Sequence, residues 1–332
     1  MNNSLLLKPK QALNKAFRKV KPTRDEIETF KKAAIALLDG INPAESEEHH
    51  KNLLIAFLNQ TGYQGSHAIN TKDRTDLAIH HGPKSSSEAG VLIEAKRPPK
   101  EGTPQAEMVR PDRLNAKALQ ELLLYYLRER ITAHNTGLRH LVVTDIQSWY
   151  IWDVQTFEAA FAEDKKLVKQ FKEFEEGRSG GRKTEYFYKE IAAPAIARAQ
   201  QVALIPFAHF SLADYEKALR NESKKDDTKL GPLLKLLSPQ HLLKLPFAND
   251  FNTLDRRFYT ELLHIIGLEE VKDKGRKLIR RKAKPDPASL LEQAIERIDM
   301  YDKLEKVENA ASYGDTRPER LFGVALELCI TG

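Results

Sequence analysis

The sequence predicts a mixed α/β fold followed by a mainly helical region. Two patterns of helical period come first, and they lead into three short apolar runs with the composition of β-strands. A long apolar helical pattern and two further strand-like runs follow, and the rest of the chain is again mostly helical in period. The order helix, three strands, helix, two strands is typical of a mixed sheet flanked by helices.

Two helices are predicted before the first strand. Thr23 and Glu26 have the spacing of a capping box, and the apolar pattern that follows them ends at Gly40. The second pattern begins at Ser46 and runs to Gly62.

The strand-like runs are separated by turn residues and by one long helical pattern. The first long pair of runs flanks a loop rich in Gly, Pro and Ser, which predicts an antiparallel hairpin. The predicted elements are a short extended segment at 67–69, strands at 76–81 and 91–96, a buried helix at 112–131, and strands at 141–144 and 149–152.

The remaining chain is highly charged. Residues 177–182 are rich in Gly but lack the Lys-Ser/Thr ending of a phosphate-binding loop, so we interpret them as a flexible connector. Residues 219–229 have the composition of a solvated linker. Residues 269–284 allow a small basic hairpin, whose cations would either follow a DNA backbone or form a solvated face.

Length and composition favour a soluble chain of two domains. The 332 residues include 41% hydrophobic and 30% charged residues, and the formal net charge of +6 allows nucleic acid as a partner without requiring it. The single cysteine, Cys329, excludes an internal disulfide, and the absence of CxxC and HExxH patterns argues against zinc. No apolar segment has the length of a membrane span, so we expect a cytoplasmic protein with no membrane partner.

The chemistry is concentrated at Asp76 and at the tripeptide Glu94-Ala95-Lys96. Two carboxylates on adjacent strands can hold Mg²⁺, with the Ala95 carbonyl as a third oxygen ligand. Lys96 lies two residues after Glu94, so on a strand it points to the same face. There it can orient the attacking water or stabilise the transition state at phosphorus.

The tripeptide alone is weak support, because Glu-x-Lys also begins at Glu163, Glu222 and Glu270. Glu94 differs because it ends an apolar strand-like run, and another such run begins with Asp76. A charged pair at the end of a core strand is costly unless it is paired or bound to a metal. The strand context therefore predicts the site.

These residues, in an αβββαβ order of elements, resemble the PD-(D/E)xK nuclease family. The resemblance implies that Asp76, Glu94 and Lys96 are catalytic in Mg²⁺-dependent hydrolysis of DNA, with Mn²⁺ as a substitute metal. The Pro of the family name is absent, because Arg74 and Thr75 precede Asp76.

The resemblance implies two further catalytic residues. The family's first acid often comes from the first core helix, where Glu47 is favoured over Glu48 by its phase. Some branches carry a Gln on the helix after the Lys, and Gln120 is the candidate. Tyr125 lies five residues after Gln120, whereas the family's Gln-to-Tyr pairing has a spacing of four.

Further segments narrow the resemblance. Residues 115–122, 143–145 and 149–153 are similar to the nuclease part of restriction enzymes. Residues 242–244, 249–254 and 258–268 are similar to the helical connector of type IIG restriction–modification enzymes. This resemblance implies double-stranded DNA as the substrate and a downstream methyltransferase and target-recognition part as a partner. A double-strand break would require transient pairing of two nuclease domains.

The implied domain organisation has three parts. A basic arm is expected at 1–23, a nuclease domain at 24–190 and a mainly helical connector at 191–332. An adenine methyltransferase motif of the Asn-Pro-Pro-Tyr type and a glycine-rich S-adenosylmethionine loop are missing, and the sequence stops inside an apolar helical pattern. We therefore expect a truncated chain, with S-adenosylmethionine bound only by the missing downstream part.

Two other functions stay open at the level of sequence. One is a non-cleaving DNA-binding or assembly module that keeps the nuclease fold. The other is a nuclease of the same fold that acts on RNA.

Overall fold

The four strands predicted at 76–81, 91–96, 141–144 and 149–152 form at those places. The computed structural model describes residues 5–72, 75–100, 105–178, 183–202, 205–246, 256–273, 276–307 and 309–331. Its strands are β1 (Leu6–Leu7), β2 (Ile69–Lys72), β3 (Thr75–His80), β4 (Ala89–Ala95), β5 (His140–Thr144), β6 (Ser148–Asp153), β7 (Phe207–Ser211), β8 (Leu268–Asp273) and β9 (Arg276–Arg281).

The helix predicted after Thr23 begins at that capping residue. Thr23 accepts a hydrogen bond from the Glu26 N–H, and the Glu26 carboxylate accepts one from the Thr23 N–H, so the predicted capping box is confirmed. The helices are α1 (Pro9–Ala12), α2 (Arg24–Asp39), α3 (Glu47–Leu58), α4 (Lys117–Leu127), α5 (Val154–Phe157), α6 (Lys165–Glu175), α7 (Thr184–Tyr186), α8 (Ala193–Gln201), α9 (Glu216–Leu219), α10 (Asp227–Leu236), α11 (Pro239–Leu242), α12 (Arg256–Ile266), α13 (Leu290–Met300) and α14 (Arg317–Thr331).

One mixed sheet of seven strands organises the first 249 residues. The strand order is β1-β7-β6-β5-β4-β3-β2, and β4 pairs with β5 in parallel while β3–β4 and β5–β6 are antiparallel. Both predicted strand pairs are confirmed, and so is the mixed α/β class.

Helices cover both faces of this sheet. On one face, Leu92 and Val143 pack with the apolar side chains of α4. On the other face, Ile93 and Trp149 pack with those of α2 and α3. Because side chains alternate along a strand, Glu94 projects to the same face as Leu92, towards α4.

Helix α4 begins five residues later than predicted. The backbones of Arg110 and Arg113 pair with each other in a tight turn, and Leu114 is buried before the helix starts. The apolar residues just before Lys117 thus belong to an irregular segment that packs against the core. Their spacing resembles that of a first helical turn, so the sequence pattern alone does not separate the two.

The N-terminal segment belongs to the sheet unit and is not a separate arm. Strand β1 pairs in parallel with β7, and Leu13 and Phe17 are buried. The ammonium group of Lys235 donates hydrogen bonds to the carbonyls of Phe17, Arg18 and Val20 at 3.1, 3.0 and 2.8 Å. The basic composition of residues 1–23 suggested a separate arm. The burial of apolar side chains in this segment instead makes it part of the first unit.

The division between units also differs from the predicted one. The chain splits into Met1–Asn249 and Asp250–Gly332, because β7 and α10 belong to the first unit although they follow residue 190. The predicted linker at 219–229 contains the start of α10, and Asp227 forms an ion pair of 2.7 Å with Arg24. Of the predicted connector at 177–182, residues 179–182 lie outside the described part of the chain.

The described residues of the second unit form three α-helices and one hairpin. Strands β8 and β9 are antiparallel, which confirms the small basic hairpin, and α12, α13 and α14 share a core with Leu291 and Ala325 at its centre. None of the described helices is both long enough and apolar enough to cross a lipid bilayer.

A buried histidine pair lies at the sheet end where β5 begins. The rings of His140 and His241 have centroids 4.7 Å apart, and His140 Nδ1 lies 2.8 Å from the Leu242 carbonyl oxygen. Burial lowers the pKa of His140 to about 4 and that of His241 well below its usual range. The charged groups that face the pair are Asp153 and Lys244, which bind each other at 2.7 Å.

We expect acidification to destabilise the first unit through this pair. An unfolded histidine takes up its proton near pH 6.5 and the folded His140 only near pH 4, so stability is lost as the pH falls between these values. Urea unfolding at pH 7 and pH 4.5 should differ by about 2 to 3 kcal/mol from His140 alone. His140→Asn should show a smaller difference, and an unchanged pH dependence in this variant would contradict the assignment.

Candidate functional site

Asp76 and Glu94 face each other across two antiparallel strands. Leu77 pairs with Ile93 in the ladder, so the next position places Asp76 on β3 opposite Glu94 on β4. Asp76 Oδ2 accepts a hydrogen bond of 2.9 Å from the Ala95 N–H, which fixes its carboxylate beside the end of β4. The structure therefore brings together the two predicted acidic residues and the predicted backbone ligand position.

Glu94 is an acid in the protein core. It is 1% exposed, and its Oε1 lies 2.6 Å from Lys96 Nζ. Its Oε2 is buried and has no hydrogen-bond partner among the described residues. Burial raises the pKa of Glu94 well above its usual range, the Lys96 charge opposes this shift, and Asp76 and Glu121 add to it. A buried carboxylate oxygen without a partner is costly unless another group satisfies it.

Lys96 bridges two acids and not one. Its Nζ lies 2.6 Å from Glu94 and 2.5 Å from Glu121, which is on α4. Burial lowers the pKa of Lys96, but the charges of Glu94 and Glu121 outweigh that effect and raise it overall. Lys96 is therefore a protonated cation held at a fixed position, with its side chain 7% exposed.

Glu121 takes the place at which the sequence reasoning put Gln120. The Gln120 side-chain amide donates to Asn115 Oδ1 at 3.0 Å, whereas the next residue reaches Lys96. Glu121 and Tyr125 are four residues apart, so they share a helix face, and burial together with the Glu94 charge raises the pKa of Tyr125. The spacing of four between Glu121 and Tyr125 is the signal in the sequence that indicates which face of α4 is turned towards Lys96.

A second lysine lies on the other side of the acidic pair. Lys51 Nζ on α3 is 2.7 Å from Asp76 Oδ1, 3.2 Å from Glu47 Oε1 and 4.0 Å from Glu48 Oε2. Burial lowers the pKa of Lys51, but Asp76 and Glu47 outweigh that effect and raise it. Glu47 is the nearer of the two predicted helix acids, and its side chain is linked to Asp76 through Lys51. The sequence reasoning did not identify Lys51.

The site is a series of ion pairs. The carboxylates of Glu47, Asp76, Glu94 and Glu121 alternate with the ammonium groups of Lys51, Lys96 and Lys117, the last of which lies 3.9 Å from Glu121. A carboxylate that is buried in such a site must be protonated, paired or bound to a cation.

The donor chemistry fits a hard divalent cation. The described residues contain no cluster of three or more His, Cys, Asp or Glu side chains placed to hold a metal ion. The predicted set has two carboxylates, those of Asp76 and Glu94, besides the Ala95 carbonyl, and all three are oxygen donors. Mg²⁺ prefers oxygen, and it commonly uses one or two carboxylates while keeping several of its waters.

The other residues considered from the sequence are either exposed or buried in the core. Glu163, Glu222 and Glu270, which begin the remaining Glu-x-Lys tripeptides, are exposed. His80 is buried between the Ser87 carbonyl and Asn70 Oδ1, at 2.6 and 2.7 Å, as a polar residue at a strand end. Trp149 and Trp152 are fully buried in the cores.

Two family models match the chain, one for each unit. The first, described as a domain of unknown function (DUF7149), matches residues 7–250, and the second, also described as a domain of unknown function (DUF7814), matches residues 251–332. The boundary between them coincides with the division between the two units to within a residue. No curated protein and no solved structure matches the sequence. The chain, whose larger unit places Asp76, Glu94 and Lys96 in one site, belongs to the DUF7149 family.

Proposed function

We propose that the first unit is a Mg²⁺-dependent nuclease of the PD-(D/E)xK type, which hydrolyses phosphodiester bonds in double-stranded DNA. The observation that supports this most is the buried Glu94 Oε2, which has no hydrogen-bond partner among the described residues and lies on the strand beside Asp76. Such an oxygen, beside a second carboxylate, is suited to a divalent cation.

Each residue has a role in this proposal. Asp76, Glu94 and the Ala95 carbonyl would hold Mg²⁺, for which Mn²⁺ can substitute. The bound metal lowers the pKa of a water and offsets charge on the scissile phosphate. Lys96, held by Glu121, presents a fixed positive charge to the phosphate or to the attacking water.

Glu47 and Gln120 have smaller roles than the sequence suggested. Glu47 acts on Asp76 through Lys51, with which it forms an ion pair of 3.2 Å. Gln120 is assigned no catalytic role, because its amide is engaged with Asn115 and Glu121 contacts the catalytic lysine.

The order of elements supports the same family. Helix α3, strands β2, β3 and β4, helix α4 and strand β5 follow each other as αβββαβ. The pair Glu121 and Tyr125 has the spacing of four that the family's Gln-to-Tyr pair shows. In the narrower form of the proposal, the chain is the nuclease part of a type IIG restriction–modification enzyme. Its partners are then a downstream methyltransferase and target-recognition part that binds S-adenosylmethionine, and a second nuclease domain paired transiently on DNA.

A second candidate is a non-cleaving DNA-binding or assembly module with the same fold. The observation in its favour is that Lys51 and Lys96 already lie within ion-pair distance of Asp76 and Glu94. In such a protein the two lysines would permanently neutralise the carboxylates that a nuclease offers to a metal.

The purified chain should nick supercoiled plasmid DNA in Mg²⁺ or Mn²⁺ and leave it intact in EDTA or Ca²⁺. The same assay on single-stranded DNA and on structured RNA identifies the substrate, and preferential cleavage of RNA would favour the RNA-directed form of the fold. Calorimetry with Mn²⁺ separates the two main candidates, because a non-cleaving module binds no metal at Asp76 and Glu94. Absence of both cleavage and Mn²⁺ binding would reject the nuclease.

A further inference from the structure

A row of side chains leads across the sheet from Glu94 to a cavity. Glu94 pairs with Val143, Val143 with Tyr150, and Tyr150 with His209, so the four residues lie side by side on β4, β5, β6 and β7. Residues paired across a sheet project to the same face. Neighbouring strands are about 4.8 Å apart, which places Tyr150 about 10 Å from Glu94.

The cavity at the end of this row has a volume of about 900 Å³. Its described walls come from the β5–β6 turn, the sheet face, and residues 99–100 and 105–112 between β4 and α4. The lining residues on which the inference depends are Lys100, Gln105, Arg110, Asp145, Tyr150 and His209. Its volume lies within the range of small-molecule sites, which is about 300 to 1,000 Å³.

The sheet side of the cavity is aromatic. The rings of Tyr150 and His209 have centroids 4.5 Å apart and are inclined by 35°. Trp152 and Phe207 pack behind Tyr150, at centroid distances of 6.3 and 5.9 Å, and hold its ring in place. Tyr150 is buried between these rings, so the half-buried ring of His209 is the aromatic group that a flat ring in the cavity can contact.

The remaining walls offer hydrogen bonds and positive charge. Asp145 is fixed by the Ser148 N–H at 2.6 Å, and burial raises its pKa to about 6. Gln105 Oε1 is buried and has no hydrogen-bond partner in the described part of the chain. Exposed Lys100 and Arg110 supply cations, and Arg110 is held by both oxygens of Asp112 at 3.2 Å.

We propose that this cavity binds an unpaired nucleobase, in a single-stranded segment adjoining the duplex that is cut at Asp76 and Glu94. The base stacks on the ring of His209, which Tyr150 holds in place, its polar edge meets Gln105 and Asp145, and the adjoining phosphates face Lys100 and Arg110. His209 lies three strands from Glu94, or about 14 Å, a distance that successive nucleotides of one strand can span. The proposal rests on the proposed nuclease function for the identity of the strand, but the stacking surface is independent of the metal site.

The test measures binding without cleavage. Fluorescence anisotropy of the full chain with a 5′-fluorescein single-stranded 12-mer of DNA, in EDTA, should show that His209→Ala weakens binding about 10-fold. His209→Phe keeps an aromatic ring and should bind within about twofold of the wild type. Gln105→Leu, in the opposite wall, should weaken binding about fivefold through the lost hydrogen bond. The paired 12-mer duplex should bind all four proteins alike.

Unchanged binding of the single strand by His209→Ala and Gln105→Leu would overturn the proposal, and so would an equal loss for single strand and duplex. Should His209→Ala fail to fold, His209→Phe and Gln105→Leu decide between the outcomes. If the chain cleaves plasmid but its binding of single-stranded DNA does not depend on these residues, the cavity proposal is rejected and the nuclease proposal is retained. If binding depends on His209 but no metal supports cleavage, the nuclease proposal is rejected and the cavity proposal is retained.

Discussion

Replacing Glu94 with glutamine is expected to lower the rate of Mg²⁺-dependent plasmid cleavage at least about 1000-fold. The substitution keeps the shape of the side chain but removes the charge that would hold the metal beside Asp76. Loss of a metal that contributes several kcal/mol to the transition state corresponds to a decrease of this size. Single-turnover nicking of supercoiled plasmid measures the rate.

The matched control for Glu94 is another glutamate in the same tripeptide pattern. Glu163→Gln changes Glu-Asp-Lys on the exposed surface, and it should cut plasmid at the wild-type rate. The fold should survive Glu94→Gln, because a neutral side chain removes a buried charge whose protonation burial already favours. Wild-type cleavage by Glu94→Gln would show that the active site lies elsewhere.

Replacing Lys96 with methionine is expected to lower the free energy of unfolding by about 3 to 5 kcal/mol. The substitution leaves Glu94 and Glu121 facing each other without the ammonium group that lies 2.6 and 2.5 Å from them. Buried charges that lose their partner are strongly destabilising, whereas removal of the whole set is much less so. Urea unfolding in EDTA measures the change.

Two comparisons identify the cause of that loss. The double variant Lys96→Met with Glu121→Gln should recover part of the stability, because one of the two acids that have lost their cation becomes neutral. Lys165→Met, at the exposed lysine of the second tripeptide, should change stability little. A mild effect of Lys96→Met, similar to that of Lys165→Met, would mean that the acids do not depend on this cation.

The sequence was sufficient where signals are local. The capping box at Thr23, the hairpin that joins β3 to β4 and the strand context of Glu94 each depend on residues close in the chain, and each is found in the structure. The pairing of Asp76 with Glu94 followed from the same hairpin, because antiparallel neighbours share a register.

The features that were missed depend on helix phase or on distant partners. Helix α4 is apolar on nearly all sides, so its pattern did not show that Glu121 rather than Gln120 faces Lys96; one residue rotates a helix by 100°. Lys51 contacts Asp76 only after α3 has packed on the sheet. Strand β1 has two residues, which is too short for a pattern of period two to be recognised.

The contact between Lys235 and the carbonyls of residues 17–20 also bears on the order in which the protein folds. More than 200 residues separate these partners in the sequence, and β1 is similarly distant from β7, the strand with which it pairs. Contacts of such high sequence separation form late, because closure of the long intervening loop precedes any gain from them. During synthesis the N-terminal segment therefore leaves the ribosome long before its binding site exists, and the first unit completes its fold only after α10 has emerged.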